Sequence, residues 1–210
     1  MANPLLNPVR LNSGYLNGGG AAFIGKNVNP DSLPALDYGG LLGKIIIVDD
    51  KEALKLSLTT TGTLRAGAYM LVQTKAGTSA APARGIAAFW DTNANSGFAK
   101  YVVTPDISAT IISDFAGIYV DAPTKGWYCW IQIAGLTSLL CKTSSVTSNV
   151  IGDLAVFTGL TTNTFDGVAD ATDYFTTSGA YKRVIGTWEE AAVADAVKLA
   201  WIKNNVAKVY

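Results

Sequence analysis

Histidine is absent from this 210-residue chain. With it go the commonest general base, the commonest metal ligand and every Ser-His or Cys-His nucleophile pair. Glutamate is scarce, occurring only at Glu52, Glu189 and Glu190. A carboxylate-pair glycosidase needs no histidine, and its candidates here are Asp49, Asp50, Glu52, Asp91, Asp153, Glu189 and Glu190. Most aspartates, however, stand in turn contexts such as Asp91-Thr92-Asn93, Pro105-Asp106 and Asp166-Gly167. Aspartate there accepts hydrogen bonds from its own turn, so a structural role is expected and no catalytic residue is assigned. Asp166, Asp170 and Asp173 are too widely spaced for an EF-hand loop and lack its closing glutamate, leaving calcium only a weak candidate. Neither glycine-rich phosphate motif is present, so no cofactor or metal is expected.

Other shortages narrow the class further. Two cysteines make neither a disulfide framework nor a zinc site, and the expectation is a pair of buried thiols in a chain made in a reducing cytoplasm. Sixteen basic and sixteen acidic residues cancel, without a block of one sign, so neither nucleic acid nor an anionic membrane is an expected partner. The longest apolar runs, such as 45–48, are far shorter than the ~20 residues that span a bilayer. MANPLLNPVR lacks a charged segment leading into an apolar one, so no secretory leader is expected.

What is present is apolar and turn-rich: 49% hydrophobic residues, 15% charged, and 21 glycines. Such a composition suits sheets joined by tight turns, and low surface charge suits a surface covered by other protein. Residues 1–43 carry Pro4, Pro8, Pro30, Pro34, Gly18-Gly19-Gly20 and six asparagines, and no regular period survives that punctuation. Yet Leu5, Leu6, Val9, Leu11, Tyr15, Phe23 and Ile24 are spread through it, more apolar content than a solvated tail carries. Two arrangements follow: an extended N-terminal arm laid on a neighbouring chain, with these residues as its interface, or a loop-rich segment packed on its own domain.

Residues 44–210 form the second unit. Strands are expected at 44–50, 54–58, 68–75, 86–90, 98–104, 115–121, 127–134, 136–143, 154–158 and 183–188, with turn residues between nearly all of them. Short strands at intervals of about 8 to 15 residues predict an all-β barrel or sandwich. If Ala134, Gly135 and Leu136 close a hairpin, Cys129 faces Cys141 and Ile131 faces Leu139 on an apolar side. Trp130 pairs with Leu140 on the other side, so both faces need cover. The two cysteines are then either buried free thiols or, in a non-hydrogen-bonded pair, a disulfide. Near the C-terminus, Thr187-Trp188-Glu189-Glu190 has the form of a capping box before good helix formers, whereas Val197, Leu199 and Trp201 alternate as in a strand.

The aromatics Trp127, Tyr128 and Trp130 also admit a sugar-stacking platform, the mark of a carbohydrate-binding or fibre module, although core and interface packing accounts for them more simply. The order of the segments FAKYVVTP (98–105), FAGIYV (115–120), KGWYCWIQIAG (125–135), IGDL (151–154) and RVIGTW (183–188) resembles the capsid decoration, or cement, proteins of tailed bacteriophages. The resemblance covers about residues 86–202. It implies a small β-barrel or sandwich without cofactor or catalysis, and it favours a final strand over a helix at 197–202. It implies also a homotrimer on the capsid exterior, bound between major capsid protein subunits. From the residues themselves, Trp130 joins the arm residues as an expected interface residue.

Overall fold

The computed structural model describes residues 27, 29, 42–51, 53, 65–91, 101–106, 115–141, 150–157, 165–168, 184–191 and 196–202. They form ten strands: β1 (Ile45–Val48), β2 (Gly67–Thr74), β3 (Ala87–Trp90), β4 (Val102–Thr104), β5 (Phe115–Tyr119), β6 (Tyr128–Leu140), β7 (Leu154–Phe157), β8 (Phe165–Val168), β9 (Val184–Trp188) and β10 (Val197–Ile202). Five of them close a barrel in the order β2, β4, β3, β5, β6 and back to β2. All the pairings are antiparallel except β2 with β4, where Gln73 and Thr74 lie beside Val102 and Val103. Closure removes the exposed sheet edges that short strands otherwise leave. β1 adds to one end of β2, and β10, β9, β7 and β8 extend the sheet outward from β6.

The alternation along β2 and β6 sorts side chains into two cores. Met70 and Val72 of β2 point into the barrel with Cys129, Ile131 and Ile133 of β6, where they meet Ala88, Val103 and Tyr119. The intervening Tyr69, Leu71 and Trp130 point out of the barrel and are covered by Ile46 and Val48 of β1 and by Ala53. Asp50, Lys51 and Ala53 carry that cover in one helical turn, with Ala53 N donating to Asp49 O at 2.8 Å. A third cluster lies between the barrel wall and the sheet extension. Ala87, Phe89, Phe115 and Ile118 pack there against Leu139, Cys141, Ala155, Ile185, Trp188, Ala200 and Ile202.

The hairpin expected at residues 134–136 does not form, because β6 runs unbroken for 13 residues from Tyr128 to Leu140. Gly135 instead marks a change of partners: residues 128–135 pair with β2, and residues 135–140 pair with β10. Its φ of +100° bends the strand, and a Cβ there would lie 2.6 Å from both Ala66 O and Gly67 Cα. Glycine is thus required by the close crossing of two backbones, not by a turn. The side chain of Gln132 braces the bend, donating to Leu136 O at 2.8 Å and Ala134 O at 3.3 Å. Cys129 consequently lies opposite Val72 in the barrel interior while Cys141 belongs to the outer cluster, and both are buried free thiols. The expected cover on both faces of residues 128–131 is present, supplied by the barrel interior and by β1.

The C-terminal alternatives resolve at residues 187–188 and 197–202. Thr187 and Trp188 end β9 instead of capping a helix, and Val197–Ile202 is a strand paired with both β6 and β9. The turn expected at Asp166-Gly167 is also absent, since both residues lie in β8 opposite Val156 and Ala155. Residues 54–58, expected as a strand, lie outside the described residues, as does the arm except Asn27, Asn29, Leu42 and Gly43. Leu42 packs against the β1 cluster, and Asn27 Nδ2 donates to Ala122 O at 3.4 Å.

Candidate functional site

Several carboxylates that sequence alone leaves available for chemistry are tied into loops. Asp106 accepts from Ser79 N and Oγ, each at 2.8 Å, and from Ala80 N at 2.7 Å. Burial works to raise its pKa, but the bonds from Ala80 and Ser79 and the charge of Lys125 outweigh it and hold the carboxyl below its ordinary range. Asp91 pairs with Lys75 Nζ at 3.2 Å, Asp153 accepts from Val150 N at 2.9 Å, and Glu190 accepts from Leu199 N at 3.3 Å. Glu52, Asp170 and Asp173 lie outside the described residues. Among the described residues no group of three or more Cys, Asp or Glu side chains is placed to hold a metal ion.

Of the residues expected at interfaces, Leu5, Leu6, Val9, Leu11, Tyr15, Phe23 and Ile24 lie outside the described residues. Trp130 is 3% exposed and sits between Tyr69, Leu71 and the β1 residues. In this chain its ring is core, so it presents no stacking face to a sugar.

Among the described residues the exposed large apolar side chains are Ile47 on β1, Val150 and Ile151 before β7, and Val197 and Trp201 on β10, the last two on the face of the sheet extension turned away from the outer cluster. β10 turns Ala200 and Ile202 toward that cluster, and the strand alternation turns Val197, Leu199 and Trp201 away from it. Trp201 is 51% exposed and Val197 41%. Register places Leu136 of β6, Trp201 of β10, Thr187 of β9 and Leu154 of β7 side by side, because each is the direct cross-strand partner of the next. Directly paired residues in antiparallel strands share a face. The row therefore carries three large apolar side chains, each partly or largely accessible, without a charged residue among the four. The sequence shows the alternation of Val197, Leu199 and Trp201; it does not show which set faces outward, nor that Leu136 and Leu154 line up with Trp201.

A second surface feature is a half-open cleft at the bend of β6, lined by Arg65, Tyr69, Arg84, Gln132, Thr137 and Ser138 among others. Tyr69 anchors its wall by donating from its hydroxyl to Arg65 O while accepting from Arg65 N at 3.3 Å. Burial pushes the Tyr69 pKa up to about 12, partly offset by that bond and by the Arg65 charge, so the phenol is neutral. Neither arginine was singled out by sequence reasoning, since the two stand apart in turn-like segments and only the barrel brings them together.

No family model matches the chain, and no curated protein matches it. The class is thus defined by architecture: a closed five-stranded β-barrel carrying a four-stranded sheet extension.

Proposed function

We propose that this chain is a non-enzymatic structural protein of a tailed-bacteriophage virion, bound as a trimer to the capsid exterior between major capsid protein subunits. The observation that supports the reading is the uncharged row Leu136, Trp201, Thr187 and Leu154 on the outside of the sheet extension. A rigid barrel with such a face stabilises a shell by adding contact area between its subunits. Binding of this kind raises shell stability by mass action, without chemistry. The segment resemblance across residues 86–202 supplies the capsid context, and the low overall charge suits a surface largely covered in the assembled state.

Trp201 anchors the proposed contact. About half of a tryptophan's ~200–250 Å² remains accessible at 51% exposure, so burying the rest is worth roughly 3 kcal/mol at ~25 cal/mol/Å². Trp201→Ser should then weaken capsid binding about 100-fold while leaving the fold intact, because the ring is not part of the cluster beneath β10 and the backbone pairings of β10 with β6 and β9 do not depend on it. Sedimentation of undecorated cognate capsids with the protein tests this directly. Co-pelleting of the native chain and its loss for Trp201→Ser are expected; failure of the native chain to pellet with cognate shells refutes the proposal.

A further inference from the structure

The geometry points to the cleft at the bend of β6 as a binding site for a small oxoanion, a carboxylate or phosphate group, held between Arg65 and Arg84. Four stretches of chain meet there: Arg65 and Tyr69 at the start of β2, Arg84 leading into β3, Tyr119 and Val120 at the end of β5, and Gln132, Thr137 and Ser138 of β6 on either side of the Gly135 bend. Arg84 is set between β5 and β6 by two backbone bonds of its neighbour Gly85, which donates to Tyr119 O at 2.9 Å and accepts from Leu140 N at 2.9 Å.

Its electrostatics are one-sided. The lining contains two arginines and no aspartate or glutamate. Among the described residues neither guanidinium is paired with a carboxylate, and the single ion pair there joins Lys75 to Asp91. Among the described residues, Arg65 Nε is buried without a hydrogen-bond partner, and Arg84 has one such partner, Ser138 Oγ at 3.5 Å. Buried donors of a charged group are ordinarily satisfied, because leaving one without an acceptor forfeits its hydration. An oxoanion in the cleft supplies acceptors to both guanidinium groups at once, and the fork of each matches the paired oxygens of carboxylate and phosphate. Ser138, next to Arg84, offers a hydroxyl donor to the same guest. Gln132 is not such a donor, since its amide nitrogen already braces the bend.

Titration of the isotopically labelled chain with sodium acetate and, separately, inorganic phosphate at constant ionic strength tests the site by amide and arginine Nε resonance shifts. Saturable shifts confined to Arg65, Arg84, Thr137 and Ser138 are expected for at least one of the two anions, and the tighter of them identifies the class. Arg84→Gln should weaken that binding at least about 5-fold, and Arg84→Lys, which keeps the charge but not the fork, should fall between. Both variants are checked by circular dichroism, so that a loss of fold is recognised. Absence of saturable shifts with either anion overturns the assignment, as does equal affinity in the native chain and a folded Arg84→Gln variant.

Discussion

Replacing Gly135 by alanine separates a glycine demanded by a turn from one demanded by two crossing strands. At φ +100° any L-residue is strained by roughly 1–2 kcal/mol. The added methyl also meets Ala66 O and Gly67 Cα at 2.6 Å, and both obstacles are backbone. Backbone can yield only if β2 separates from β6, and these two strands form the most extensive pairing in the barrel. A total loss of about 3 kcal/mol or more is therefore expected. Two internal controls isolate its parts. Gly152 has nearly the same backbone angle, φ +96°, but nothing within 4 Å of the methyl position, so Gly152→Ala should cost only the strain, about 1 kcal/mol. Gly77 has open space and no positive φ, so Gly77→Ala should be neutral or slightly stabilising. Urea unfolding followed by tryptophan fluorescence measures all three. With a slope of roughly 2–3 kcal/mol per molar for a chain of this size, Gly135→Ala should lower the midpoint by about 1 M or more. If Gly135→Ala costs no more than Gly152→Ala, the close crossing at Gly135 is refuted.

Three further outcomes follow from individual side chains. Tyr69 has a folded pKa of about 12 against an ordinary value near 10, so its contribution is complete below about pH 10 and lost as pH rises toward 12. Tyr69→Phe should flatten that alkaline decline in a stability–pH profile and cost about 1–2 kcal/mol at neutral pH, by stranding the Arg65 carbonyl. Asp106 titrates below its ordinary range, so its contribution is present above about pH 4 and lost as pH falls through the folded value. Asp106→Asn should shallow the acid limb of the same profile. Cys129, 1% exposed, is held well above its ordinary pKa by burial with Asp121 adding to it, and Cys141 is wholly buried. An aromatic disulfide reagent should therefore leave the native chain unmodified and titrate two thiols after unfolding; rapid native reaction would count against this core.

Much of the fold was legible because strand signals are local. The β-branched run in 44–50, the apolar stretches at 68–75 and 115–121 and the alternation of Val197, Leu199 and Trp201 are set by side-chain chemistry within a few residues, and each holds a strand, at Ile45–Val48, Gly67–Thr74, Phe115–Tyr119 and Val197–Ile202. The capping box at Thr187 failed as a helix signal because tertiary pairing with β10 and β7 overrides propensity. β8 was missed for the complementary reason: Asp166-Gly167 has turn chemistry, but β7 supplies the ladder partners that hold it extended. The candidate surfaces were hardly legible. Leu136, Leu154 and Trp201 become neighbours only through register, and Arg65 meets Arg84 only through barrel closure.

By itself, the sequence determined that the chain is built of short strands, that its two cysteines are too few for a disulfide framework, and that the strand around Trp130 needs cover on both faces. All three follow from composition and period-two patterning, which act over a few residues. Only the tertiary structure decided what Gly135 does. A glycine among apolar residues is equally compatible with reversing a chain and with letting one backbone pass close to another, because both need the missing Cβ. The choice rests on Ala66 and Gly67, almost seventy residues away in the chain, which occupy the space a side chain at Gly135 would fill. That crossing keeps β6 continuous, carries it out of the barrel into the sheet extension, and so places Trp201 on an outer face and Arg84 beside Ser138.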